Sequence, residues 1–182
     1  DGENGHWRIN GRQLNDVSPR GLMTISDALR VSSNIGIAKA VMPMEPGQQY
    51  ENLRDFGFGG LTGLGLGEVA GTLRRPDGWS SQSQVSLAIG YEIGVTPLQM
   101  AMAYGALANG GKLMQPRLVK EVRNASGSVT ETYRPQVIRQ VVSPRTASSV
   151  ARVLEDVVEH RKVEGSLSGH RTQHAASDGE VG

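Results

Sequence analysis

The sequence contains no cysteine. Disulfides and thiolate metal sites are therefore excluded, and the redox compartment is left open. Aromatic residues make up only 4% of the chain, so a core has to be assembled from Leu, Val, Ile, Ala and Met. No apolar run approaches the roughly 18–20 residues that a membrane span needs. The chain opens at Asp1 without a signal-peptide pattern, so any anchor or export signal is expected upstream. Neither charge is in excess: 19 basic residues face 18 acidic ones, a net +1. No basic run is interleaved with aromatics, which excludes nucleic acid as an expected partner.

Two further absences bear on chemistry. There are four lysines, Lys39, Lys112, Lys120 and Lys162, and three positions before them stand Gly36, Asn109, Arg117 and Glu159. No Ser-x-x-Lys is therefore present, and neither is a Lys-Thr-Gly. These are the nucleophile and strand motifs that accompany Ser-x-Asn in one group of serine acyltransferases.

What is present reads as one domain or a large piece of one, at 182 residues. His6 to Leu14 forms a hairpin pattern around Asn10-Gly11, the pair preferred where both central turn residues need positive φ. Thr24 opens a helix, with Asp27 three residues on as a short capping box. That pattern halts at Ser32-Ser33-Asn34 and resumes from Ile35 to Val41, where Pro43 and Pro46 are expected to end it. Gly47 to Phe56 reads as a third short helix, and Gly59 to Gly71 as a glycine-rich loop. That loop lacks the Lys-Ser/Thr ending of a phosphate loop.

Thr96-Pro97 is a helix start with an N-cap hydroxyl and a first-turn proline, stopped by Asn109-Gly110-Gly111. Leu118–Arg123, Ser128–Tyr133 and Val137–Val142 read as strands, and Ser143-Pro144 opens a last helix. From Arg161 the chain is polar, with no sustained period of 3.6 or 2. His170 and His174 stand four apart but lack a nearby third ligand, so no metal site is expected there. Asp16, Glu68 and Glu92 show no readable pairing for acid–base work and are expected to be solvated or to brace loops.

The Ser-x-Asn triplet carries little weight alone. Its place between two helices is more telling, because a rigid support there can project a hydroxyl and an amide into a cleft. The surrounding order is more specific. Ser32-Ser33-Asn34 is preceded by the Trp7 ribbon and followed by Phe56-Gly57-Phe58-Gly59, Thr62-Gly63, Gly67-Glu68 and Ala70-Gly71. Gly90 to Gln99, Ala106 to Gly111 and Pro116-Arg117-Leu118 complete it. Over roughly Gly5 to His160 this resembles the transpeptidase domain of class B penicillin-binding proteins, and the Ser-Ser-Asn spelling resembles its division-type members.

The resemblance implies an α/β (α+β) fold of the serine beta-lactamase/DD-transpeptidase type, an antiparallel sheet beside a helical subdomain, here in part. It implies Ser32 and Asn34 as catalytic positions. Ser32 would shuttle a proton between a lysine base and the amine, and Asn34 would hold that lysine and the substrate amide. Ser33, as support, and Thr96 are the expected substrate-binding positions. No metal or organic cofactor is implied. The implied partners are peptidoglycan stem peptides, beta-lactams, division proteins and a glycan polymerase. The implied location is the outer side of the cytoplasmic membrane, reached through an upstream anchor.

Residues 1–160 are expected to be a partial transpeptidase domain, and 161–182 an atypical tail with an out-of-frame or mis-assembled ending. A fragment without the nucleophile and Lys-Thr-Gly motifs is expected to be inactive alone. The alternative reading is a non-catalytic penicillin-binding-like scaffold or sensor. A beta-lactamase or carboxypeptidase fits less well, because of the Gly59–Gly71 loop and the helix that follows Thr96.

Overall fold

The computed structural model describes residues 1–175, with side chains described through residue 159. The chain begins with a ribbon of two antiparallel strands, β1 (His6–Ile9) and β2 (Arg12–Asn15), in the register Trp7 opposite Leu14. Asn10 and Gly11 make the connecting turn with φ of 47° and 81°, the conformation that Asn-Gly adopts readily. Three short helices follow: α1 (Ile25–Arg30), α2 (Asn34–Val41) and α3 (Pro46–Asp55). Pro46, expected as a breaker, is instead the first residue of α3. That is where a missing N–H and a fixed φ do no harm.

Beyond the glycine-rich loop come β3 (Thr72–Leu73), α4 (Ser83–Ala88), β4 (Ile93–Gly94) and α5 (Pro97–Ala108). The chain continues through β5 (Lys112–Met114), β6 (Glu121–Arg123), β7 (Val129–Thr132), β8 (Val137–Gln140) and α6 (Pro144–Ala175). The mixed helix and strand content and the antiparallel pairing follow expectation. Among the described residues the strands form four separate two-stranded pairs, β1–β2, β3–β4, β5–β8 and β6–β7, not one continuous sheet. The polar character after Arg161 does not stop the backbone, which stays helical to Ala175. Main-chain bonding needs no apolar period, so the lack of one cannot exclude a helix. His170 and His174 lie outside the residues whose side chains are described.

Ile9 and Leu14 from the ribbon, Ile35 and Ala38 from α2, and Val85 from α4 form one buried cluster, with Trp7 and Ile89 packed against it. The ribbon, α2 and α4 are thus one packing unit. Gly36 lets α1 and α2 approach closely, because a Cβ there would lie 2.6 Å from that of Ala28. On the other side of the chain Leu113, Ala103, Ala106 and Ala147 are buried where α5 meets β5 and α6.

A second organising point is Gln99, 1% exposed on α5. Its Oε1 accepts from the Thr96 amide at 2.9 Å and the Thr96 hydroxyl accepts from the Gln99 amide at 3.1 Å, a capping box. Its Nε2 donates to the carbonyls of Gly60 at 2.7 Å and Ala70 at 2.8 Å, with a longer contact to Gly57 at 3.3 Å. One amide thereby ties both ends of the glycine-rich loop to the start of α5. Within the loop Glu68 accepts from the Thr62 amide at 2.7 Å, from the Thr62 hydroxyl, and from the Gly65 amide at 2.7 Å. The hydroxyl bond from Thr62, and then the Gly65 amide, hold its carboxyl below the usual range.

Two outcomes are expected. Replacing Gln99 by Leu leaves the carbonyls it serves without their donor, and should lower unfolding free energy by about 2–4 kcal/mol in denaturant titrations of the intact protein. Asp27 is held at about 2, from an ordinary 3.8, by the Thr24 hydroxyl first and by Arg30 second. A depressed folded value contributes stability that is present above the unfolded pKa and lost as pH falls through the folded one. Between pH 3.8 and about 2, Asp27→Asn should therefore flatten the fall of melting temperature with pH. An unchanged slope would show that the box does not form.

Candidate functional site

The Ser32–Asn34 turn is the junction of two helix caps. At the end of α1 the Ser32 amide donates to the Leu29 carbonyl at 3.2 Å and the Ser33 amide to the Ala28 carbonyl at 2.8 Å. This pair of bonds is a Schellman termination, and it requires a left-handed residue just past the helix. Ser32 is that residue, with φ of 55°. Glycine usually fills this position. A side chain there costs on the order of 1 kcal/mol. Ser32 is exposed, and its hydroxyl makes no hydrogen bond among the described residues.

The next residue starts α2. Ser33 is its N-cap and is 2% exposed. Its hydroxyl accepts from the Gly36 amide at 2.9 Å and donates to Asp16 Oδ2 at 2.5 Å. The other carboxylate oxygen of Asp16 accepts from the Ile35 amide at 3.0 Å. Asp16 is itself buried, 8% exposed, directly after β2. Asn34 Nδ2 donates to the carbonyl of Asn15 at 3.1 Å. That leaves its carbonyl oxygen and one N–H available for further bonding.

The sequence-expected positions therefore separate. Ser32 and Asn34 stand two apart on a fixed turn, with an exposed hydroxyl and a partly engaged amide. The Ser33 hydroxyl is engaged both as acceptor and as donor, the Thr96 hydroxyl accepts from the Gln99 amide as the cap of α5, and no hydrogen bond joins Thr96 to the Ser32–Asn34 turn. Glu68 braces its loop, as its sequence context suggested, and Glu92 accepts from the Ser83 hydroxyl at 2.6 Å. Lys39 on α2 makes no hydrogen bond to the Ser32 hydroxyl. It pairs with Glu3 and lies 5.1 Å from the centre of the Trp7 ring. Asp16 is the residue whose weight sequence reasoning underrated. Its signal was a single carboxylate at a strand end ahead of a Ser-rich helix junction, which no periodicity ranks.

Elsewhere, a cavity of about 350 Å³ lies between the glycine-rich loop, α3 and β8, and is lined in part by Tyr50, Phe58, Leu73 and Arg139. Arg54 and Arg139 in its lining both pair with Asp55, at 3.3 and 3.0 Å. Among the described residues no three His, Cys, Asp or Glu side chains come together as a metal cluster, and no helix is long and apolar enough to cross a membrane.

Comparison with known proteins matches this architecture. The chain is 38% identical over 158 residues to the penicillin-binding protein PbpB of Mycobacterium tuberculosis, covering 85% of this chain and 23% of that protein. It is 32% identical over 160 residues to a probable peptidoglycan D,D-transpeptidase, PbpC, of Pseudomonas aeruginosa, covering 87% and 26%. The chain thus spans about a quarter of the length of the curated relatives it matches. The crystal structure of penicillin-binding protein 3 from Mycobacterium tuberculosis complexed with ampicillin superposes with a TM-score of 0.76 at 38% identity, over 85% of this chain and 34% of that one. Residues 3–179 match the penicillin binding protein transpeptidase domain, and the chain belongs to that family.

Proposed function

We propose that the intact protein is a D,D-transpeptidase that cross-links peptidoglycan stem peptides in septal wall synthesis and is acylated by beta-lactams. The observation that carries this reading is the pairing of Ser32 and Asn34 on a turn whose backbone is fixed on both sides. In such chemistry a serine oxygen attacks a peptide carbonyl and the C–N bond breaks. The departing amine needs a proton, and a second amine then attacks the ester and gives one up. Ser32 relays that proton between a lysine base and the amine. Asn34, with one N–H and its carbonyl still available, holds the lysine and the substrate amide. Ser33 and Thr96 serve by holding the helix starts. Residues 1–160 form part of the catalytic domain, and 161–182 are an atypical polar tail with an out-of-frame or mis-assembled ending. The protein acts on the outer side of the cytoplasmic membrane, beside division proteins and a glycan polymerase.

The test separates the hydroxyl from the fold. In the intact protein, Ser32→Gly removes the hydroxyl while suiting the left-handed backbone. Acylation by a fluorescent penicillin should slow by roughly 10²-fold or more, with stability unchanged or raised by up to about 1 kcal/mol. Acylation at the wild-type rate would contradict the assignment of Ser32.

A further inference from the structure

We propose that Asp16 is a positioning residue for this acyl transfer: its buried carboxylate sets the turn that aims Ser32 and Asn34. The inference rests on the transpeptidase reading and adds to it a residue outside the Ser-x-Asn motif. Asp16 is 8% exposed and has no ion-pair partner within 4 Å among the described residues. A buried carboxylate without a cation is unfavourable unless hydrogen bonds satisfy it. Here both oxygens are engaged, one by the Ser33 hydroxyl at 2.5 Å and one by the Ile35 amide at 3.0 Å. The bonded positions, 33 and 35, alternate with the functional ones, 32 and 34. Pinning the first pair inward fixes the direction of the second.

Two more observations converge on the same strand end. Ser32 sits at φ 55° without being glycine. Such a conformation persists where the surrounding structure over-determines it. The carbonyl of the preceding residue, Asn15, takes the Asn34 side-chain amide at 3.1 Å. The dipeptide Asn15-Asp16 thus bonds three of the four residues from Ser33 through Gly36, namely Ser33, Asn34 and Ile35, while the Asp16 amide is tied to the Gly5 carbonyl at 3.1 Å. A neutral cap would suffice to start a helix. A carboxylate that accepts twice forms the shorter, stronger bonds that a fixed catalytic geometry needs.

The experiment measures acylation of the intact protein by a fluorescent penicillin, as a second-order rate constant per folded molecule, alongside the melting temperature. The variants are Asp16→Asn, Ser33→Ala, their double, and Thr24→Ala as a control that weakens only the α1 cap. Misplacing a reacting group by about 1 Å costs on the order of 10²-fold in rate. Asp16→Asn and Ser33→Ala should each show a fall of that order, and the double variant should fall little further, since both break one contact. Thr24→Ala should lose melting temperature yet keep the wild-type rate. Wild-type rates in both Asp16→Asn and Ser33→Ala would overturn the proposal, leaving Asp16 a helix cap only. If Asp16→Asn does not fold, Ser33→Ala decides alone. If the wild-type protein is not acylated at all, the transpeptidase reading itself fails, and this inference with it.

Discussion

The Asp16 carboxylate is the contact on which the amino-terminal half of the molecule turns. It joins the end of the β1–β2 ribbon to the first turn of α2 through Ser33 and Ile35. The apolar cluster of Ile9, Leu14, Ile35, Ala38 and Val85 lies beneath the same junction. Hydrophobic burial draws these elements together without direction. The carboxylate supplies the direction, since two acceptors on one rigid group admit few orientations of the helix that donates to them.

The same device recurs through the chain. Thr24 with Asp27, Thr96 with Gln99, and Ser143 with the Thr146 amide each begin a helix with a side-chain acceptor. Most of these helices are too short to be stable on propensity, so their ends, not their middles, locate them. Gln99 extends the device from local to tertiary structure, because its amide also holds the two ends of the glycine-rich loop. The result is a chain with few aromatics and modest cores, whose polar groups decide where each element starts.

Much of this is legible in the sequence. Asn10-Gly11 announced the hairpin, Thr24 and Thr96-Pro97 announced two helices, and the colinear glycine and Ser-x-Asn order pointed to the family. Local signals of that kind act within a few residues, so they survive in a linear reading. What escaped it was non-local or weakly patterned. The helix α4, six residues of mixed polarity, has too few turns for a period to emerge. The two-residue strands β3 and β4 exist only because they meet across some twenty residues. Pro46 looked like a stop and is a start, since proline serves both ends of helices and the sequence does not say which side is helical. At the site, the break at Ser32–Asn34 was visible, but the left-handed Ser32 and its Schellman bonds were not. They follow from α1 and α2 packing at Gly36 and from the Asp16 carboxylate, 17 residues ahead of Ser33.

Whether the turn is held from the strand end can be read from native-state hydrogen exchange at the amides of Ile35 and Gly36. The first amides of a helix have no partner within the helix and normally exchange quickly. Here Asp16 and the Ser33 hydroxyl accept from them at 3.0 and 2.9 Å. In the intact protein both should exchange as slowly as the interior amides of α2, through global opening. Exchange at the rate of exposed, unbonded amides would contradict the account and show that the turn is not held from the strand end.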